Sequence, residues 1–149
     1  MKKNFDGYLT ATVNVDIHFY DLDMTGDVWH GRYFKFLEVA RAALLETIGY
    51  SYGQMLASGY LWPIYDSRIR YRKPLTLGQT VSVTACLSEW EMRLAVDYRL
   101  DDEQGRTCTR ARTIQVPVNA SSMKLQLGCP PIFIDKVEQA MLSKRLGNS

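Results

Sequence analysis

No apolar run in this chain approaches the ~18 consecutive residues that span a bilayer, so the sequence offers no membrane-spanning helix. A strong excess of charge of either sign is missing as well. The 18 basic and 16 acidic residues leave +2 at pH 7, far too little for a chain built around nucleic-acid phosphates, and any cationic role has to be local. Cysteine is scarce. Cys86, Cys108 and Cys129 form no CxxC pair and no His/Cys cluster with zinc-ligand spacing, so neither a metal site nor a disulfide scaffold is expected. Their odd number cannot pair fully within the chain, which fits a reducing compartment. In the opening Met1-Lys2-Lys3-Asn4-Phe5-Asp6-Gly7, Asp6 and Gly7 stand where the apolar region of a signal peptide would begin, and the expected location is the cytoplasm.

What is present is an ordinary globular composition, 46% hydrophobic and 23% charged over 149 residues. That is enough for one core and too short for two. A single domain over residues 1–149 is expected, with its core at about 8–120 and a C-terminal helical extension at about 131–143. No internal repeat or low-complexity tract interrupts it.

Residues 11–19 alternate, with Val13, Val15, Ile17 and Phe19 on one parity and Thr12, Asn14, Asp16 and His18 on the other, which predicts a half-buried strand. From about Gly31 the apolar spacing changes to threes and fours through Tyr33, Phe34, Phe36, Leu37, Ala40, Leu44 and Ile48, predicting a helix that ends near Gly49. Val39, Ala42, Ala43 and Leu45 extend the apolar surface beyond one stripe, as in a helix wrapped by a sheet. A loop or short helix is expected around 52–59, then strands at about 62–72, 79–88, 92–101 and 106–118, separated by turn signals. Pro130-Pro131 precedes a closing helix from Ile132 to Leu142, and residues 144–149 are expected to fray. Strand, long helix, then consecutive strands is an α+β pattern in which an antiparallel sheet curls around one helix. The exposed edge and apolar flank left by such a sheet point to a dimer.

Chemistry-bearing residues gather between the first strand and the helix: Asp21, Asp23, Asp27 and His30, just before Gly31. Free N–H groups at a helix start suit a developing oxyanion, a nearby carboxylate suits a base or nucleophile, and an imidazole orients water or a carbonyl. The same aspartates also read as plain turn and cap residues.

The stretch from Phe19 to Tyr33, FYDLDMTGDVWHGRY, followed by Phe36-Leu37-Glu38-Val39-Ala40-Arg41, resembles the signature of hotdog-fold thioesterases. It is most similar to the 4-hydroxybenzoyl-CoA thioesterase group and its YbgC-like acyl-CoA thioesterases, over roughly residues 10–118. The resemblance implies a five-stranded antiparallel sheet around a central helix, joined in a dimer as one continuous sheet, or further into a tetramer. It implies hydrolysis of an acyl or aroyl thioester without a cofactor. Asp23 falls on the family's catalytic carboxylate, His30 on the histidine of the YbgC-like branch, and the N–H groups around His30 and Gly31 on its carbonyl-polarising site; Asp21 is then structural. Phe19 stands where such relatives often carry a tyrosine, with Tyr20 as the available substitute. Asp27 adds an acid expected to raise the pKa of Asp23 by like-charge repulsion. Glu38 is a rival carboxylate whose plainer role is an ion pair with Arg41 or Arg32. Tyr20, Trp29, Tyr33, Glu38 and Trp62 are substrate-pocket candidates, with Leu56, Tyr60 and Tyr65 beside them.

Arg68, Arg70 and Arg72 share one parity of their strand, and Arg110 and Arg112 repeat the pattern on the last one, which the resemblance places alongside. Such a face suits CoA phosphates or an acidic acyl carrier protein. It also suits a solvated surface whose arginines pair with Asp66, Asp97 or Glu91. The expected activity is acyl-CoA hydrolysis, with a carrier-protein thioesterase and a non-catalytic acyl-thioester-binding dimer as alternatives.

Overall fold

The computed structural model describes residues 1–147. The main sheet has five antiparallel strands: β1 (Thr10–Asp16), β3 (Ile64–Tyr71), β4 (Thr80–Glu89), β5 (Leu94–Asp101) and β6 (Thr107–Gln115). A two-residue strand β2 (Tyr60–Leu61) pairs with β7 (Val118–Asn119) as a separate ribbon. The spatial order β1-β4-β5-β6-β3 leaves β1 and β3 as the edges. The long helix α1 (Tyr33–Ile48) lies on one face of this sheet, α2 (Tyr52–Ala57) follows it, and α3 (Pro131–Gly147) closes the chain. Among the described residues no helix is long and apolar enough to cross a membrane.

Cross-strand register explains which residues face α1. Val13 pairs with Val83 and Val83 with Leu100, while two residues along the same face Tyr98 pairs with Ala111 and Ala111 with Ile69, so one apolar face extends over all five strands. Onto it α1 lays Phe36, Leu37, Ala40, Leu44, Leu45 and Ile48, the threes-and-fours face, all buried. At roughly 25 cal/mol per Å² of apolar surface this is the main stabilising contact of the fold. The helix stops at Gly49, whose φ of +85° and N–H bonds to the Glu46 and Leu45 carbonyls cap it. The sheet covers one face of α1 only, and Phe34 and Val39 remain exposed.

Two boundaries differ from expectation. β1 ends at Asp16, not residue 19, because Asp21 accepts the His18 N–H (2.8 Å) and folds Phe19–Asp21 into a 3₁₀ turn. Phe19 therefore points to solvent at 80% exposure, against the parity that placed it inside. The closing helix runs through Gly147, so residues 144–147 are not a frayed tail. Lys144 reaches the Tyr8 carbonyl, and Lys144 and Arg145 sit in the last turn, where cations suit the helix dipole. Residues 148 and 149 of the expected tail lie outside the described residues. The β2–β7 ribbon is an addition that strand patterning did not show, because two-residue strands carry no period.

The opposite, outer face of the sheet is crossed by the first residues of the chain. The Lys2 N–H donates to Asp97 (2.9 Å), and Phe5 is buried beneath the Arg99 guanidinium, 5.0 Å from the ring centroid.

Candidate active site

The loop between β1 and α1 is a closed turn. Leu22 and Val28 form a bridge, the Asp23 N–H donates to the Asp27 carbonyl (2.8 Å), and the Gly26 N–H returns to the Asp23 carbonyl (3.1 Å). Gly26 sits at φ +87°, a conformation that a Cβ would strain. The loop is pinned to the body by the Val28 N–H on the Leu75 carbonyl (3.2 Å) and by the Trp29 N–H on the Asp21 carbonyl (2.9 Å). Asp21 itself is spent on structure: it is 2% exposed and faces Arg32 Nε at 2.6 Å besides capping its own turn.

Asp23 is the exposed acid of the pair. Its Oδ1 accepts from the Thr25 N–H (2.8 Å) and the Thr25 hydroxyl (2.5 Å), and the second oxygen takes neither of these bonds. The Thr25 hydroxyl and N–H hold the Asp23 pKa below its ordinary value. Burial opposes them, and the Asp27 backbone N–H and the nearby His30 lower it further. The expectation that Asp27 raises this pKa is overturned, since what Asp27 brings to the Asp23 carboxylate is a backbone N–H, which lowers it, and not a repelling carboxylate. Asp23 is accordingly ionised at neutral pH. Replacing Thr25 by alanine is expected to move the acidic limb of any Asp23-dependent activity upward, toward ordinary carboxylate values. Asp27→Asn is expected to leave that limb in place; a pH–rate profile of each variant checks both.

His30 opens a 3₁₀ turn, His30–Arg32, that leads directly into α1. The first internal bond of this turn runs from the Arg32 N–H to the Trp29 carbonyl (2.9 Å), so the N–H groups of His30 and Gly31 precede it. They make no protein hydrogen bond among the described residues. The Trp29 indole lies against Gly31 so closely that a Cβ there would come within 2.5–2.8 Å of three ring carbons, and its ring is tilted against His30 at 5.6 Å. Glycine keeps this corner open, with an anion-seeking pair of N–H groups beside an ionised carboxylate.

The other expected site residues divide by position. Tyr20 and Trp29 are exposed at the loop's rim, Tyr20 stacked on His18 (5.0 Å) with the Arg32 guanidinium 5.5 Å from its ring centroid. Tyr33 is core, 3% exposed and edge-on to Tyr71 at 4.8 Å. Trp62 packs in the core on Tyr50 and Phe133, and with Leu56, Tyr60 and Gln115 it also lines a cavity of about 250 Å³. Glu38 is exposed and pairs with Arg41 at 3.7 Å, while Arg32 is taken by Asp21. Thr25 is the residue that sequence reasoning missed, and Arg32, expected only as a partner for Glu38, pairs with Asp21 instead. The Asp-x-Thr spacing of 23 and 25 is a readable signal, because an Asp side chain commonly accepts from the N–H two residues on.

The arginines converge as the strand parity predicts. Arg68 lies opposite Arg112, and Arg70 opposite Arg110, which in turn lies opposite Arg99. Arg112 is neutralised by a two-point contact with the buried Asp97 (2.6 and 3.1 Å), and Arg68 faces Asp66 at 3.4 Å. Arg70, Arg72 and Arg110 make no ion pair among the described residues.

A five-stranded antiparallel sheet with one long helix on its face, and an acid-bearing loop at the helix start, is the arrangement of a hotdog fold. The family model described as the thioesterase-like superfamily matches residues 17–137. This chain belongs to that superfamily, and it is an enzyme of the thioester-hydrolase class. It is 28% identical over 111 residues to "Putative acyl-CoA thioesterase YneP" of Bacillus subtilis, covering 74% of this chain and 80% of that one. It is 30% identical over 99 residues to the 1,4-dihydroxy-2-naphthoyl-CoA hydrolase of Thermosynechococcus vestitus, covering 65% of this chain and 68% of that one. The solved DHNA-CoA thioesterase from Staphylococcus aureus shares the fold with a TM-score of 0.78 at 21% identity, covering 93% of each chain.

Proposed function

We propose that this chain hydrolyses an acyl-CoA thioester to the free acid and CoA at the loop before α1. The observation that carries the reading is an ionised Asp23, with one oxygen outside the Thr25 bonds and His30 near enough to lower its pKa, on the loop that ends in the unpartnered N–H groups of His30 and Gly31. The carbonyl oxygen accepts from these N–H groups, which stabilise the charge it gains in the transition state. Asp23 either takes a proton from an attacking water or attacks the carbonyl itself, and His30 orients the reacting group. A C–O bond forms, the C–S bond breaks, and the proton released by water passes to the departing thiolate. The names of the relatives from Bacillus subtilis and Thermosynechococcus vestitus support CoA as the carrier. A thiol-release assay over a panel of acyl- and aroyl-CoAs tests the reading: steady turnover of at least one is expected, and binding without turnover across the panel would instead make the chain an acyl-thioester binder.

The same reading includes a homodimer. β3 is an exposed edge strand, with Ile64, Tyr65 and Tyr71 open to solvent, and Phe19, Tyr20, Met24 and Trp29 stand exposed around the site. Antiparallel pairing of two β3 strands removes the free edge and continues the sheet across both copies, and a tetramer adds a second such pair. Sedimentation at twice the chain mass or more is expected, and a monomer at working concentration would remove this part.

A further inference from the structure

Resting on the thioester-hydrolase reading, we infer that Arg32 is a positioning residue: paired with Asp21 across the two ends of the β1–α1 loop, it fixes the direction in which the His30 and Gly31 N–H groups meet the thioester carbonyl. Helix starts are ordinarily steadied by a Ser, Thr, Asp or Asn whose side chain takes the free N–H groups. No side chain does so here. Trp29, before the 3₁₀ turn, and Arg32, before α1, make no side-chain cap, and no acidic residue stands in the first turn of either element. A capping side chain would occupy the very N–H groups that the carbonyl needs. Something else has to hold this terminus, and it has to do so from the side.

Arg32 holds it through backbone and side chain together. Its N–H donates to the Trp29 carbonyl (2.9 Å), closing the turn, and its Nε lies 2.6 Å from Asp21 Oδ1. Asp21 in turn accepts the His18 N–H on Oδ2 (2.8 Å) where β1 ends, and the Trp29 N–H on its carbonyl (2.9 Å) where the loop returns. Asp23 follows this tie by two residues and His30 precedes Arg32 by two, so the pair closes the base of the loop that carries both. The Tyr20 ring covers the guanidinium at 5.5 Å. The contact is a charge pairing and not a hydrogen bond, since Asp21 Oδ1 and Arg32 Nε are both buried without a hydrogen-bond partner. Such a pair adds little stability, because stripping water from two ions offsets most of their attraction. Its effect is orientation: it keeps the N–H groups one and two residues before Arg32 at one angle to Asp23. A displacement of about 1 Å at a reacting centre is enough to lower a rate roughly a hundredfold.

Arg32→Met keeps the reach of the side chain and removes its charge. It is expected to lower kcat by about a hundredfold with KM unchanged, and to do so equally for a CoA thioester and the pantetheine thioester of the same acyl group. Arg32→Lys is expected to recover part of the loss, since the charge returns without the planar fork. Asp21→Asn/Arg32→Met removes both charges and leaves an amide oxygen for the His18 N–H. This double variant is expected to melt above Arg32→Met, whose Asp21 is left buried without its cation, and yet to keep the low kcat. Recovery of kcat together with Tm in the double variant makes the pair merely structural and overturns the proposal, as does an unchanged kcat in Arg32→Met. A rise in KM confined to the CoA thioester also overturns it, and makes Arg32 a substrate contact. Residual dipolar couplings of the His30 and Gly31 N–H vectors read their direction without any turnover. They are expected to change in Arg32→Met and in the double variant, and to return toward the unaltered chain in Arg32→Lys. If the unaltered chain hydrolyses no thioester, the hydrolase reading fails by itself, and unchanged couplings in these variants still overturn the role given to Arg32.

Discussion

Asp23→Asn is expected to lower thioester hydrolysis by about a thousandfold, within the range that a positioned base or nucleophile contributes. The fold is expected to survive. Asp23 is exposed, its backbone bonds to Asp27 and Gly26 are untouched, and an asparagine Oδ1 still accepts from the Thr25 N–H. A circular-dichroism melt and a thiol-release assay on the same preparation check both halves. Full activity in that variant would remove Asp23 from the chemistry and return Glu38 to consideration, despite its exposed pairing with Arg41. Single-turnover hydrolysis in heavy-oxygen water distinguishes the two routes, since only direct attack leaves label in the Asp23 carboxylate.

Phe133→Ala is expected to be the most destabilising of these substitutions. Phe133 is fully buried on α3, with its ring 5.5 Å from Tyr50 and 5.3 Å from Trp62. Removing a buried phenyl ring costs about 3–5 kcal/mol in lost transfer energy and cavity. For a domain of this size that is roughly a 10 °C fall in Tm. Thermal unfolding followed by calorimetry measures it directly. A fall within the noise would mean that α3 is an appendage, and that the core ends near residue 120. A large one makes the C-terminal helix part of the same cooperative unit as the sheet.

The elements with a period were legible in the sequence, and so was the loop of acids and histidine to which the chemistry is assigned by proposal. α1 followed from its threes and fours, and the strands from alternation between Gly and Asp turns, because burial on one face leaves that pattern directly in residue order. The pairing of β3 with β6 came from the resemblance, and the structure bears it out through the Arg70–Arg110 register. Phe19 misled because strand parity describes a residue only while the strand lasts, and Asp21 ends it by taking the His18 N–H. Asp27 misled for a related reason. Two carboxylates close in sequence suggest repulsion, but the turn makes the Asp27 main chain, and not its charge, the neighbour that matters. Tyr33 and Trp62 show the limit for aromatics, since composition alone does not separate a pocket wall from a core ring.

The N-terminal residues laid across the outer face of the sheet bear on the order in which the molecule is completed. Lys2 waits for Asp97, 95 positions later, and Tyr8 for Lys144, 136 positions later. During synthesis these residues thus have no surface to settle on until β5 exists. The tie to Lys144 forms only when α3 has left the ribosome. Contacts of such sequence separation carry the largest loop-closure cost and form late. The buried Asp97 and the Phe5 ring are therefore among the last parts to leave water, and a chain shortened at either end would keep that face wet.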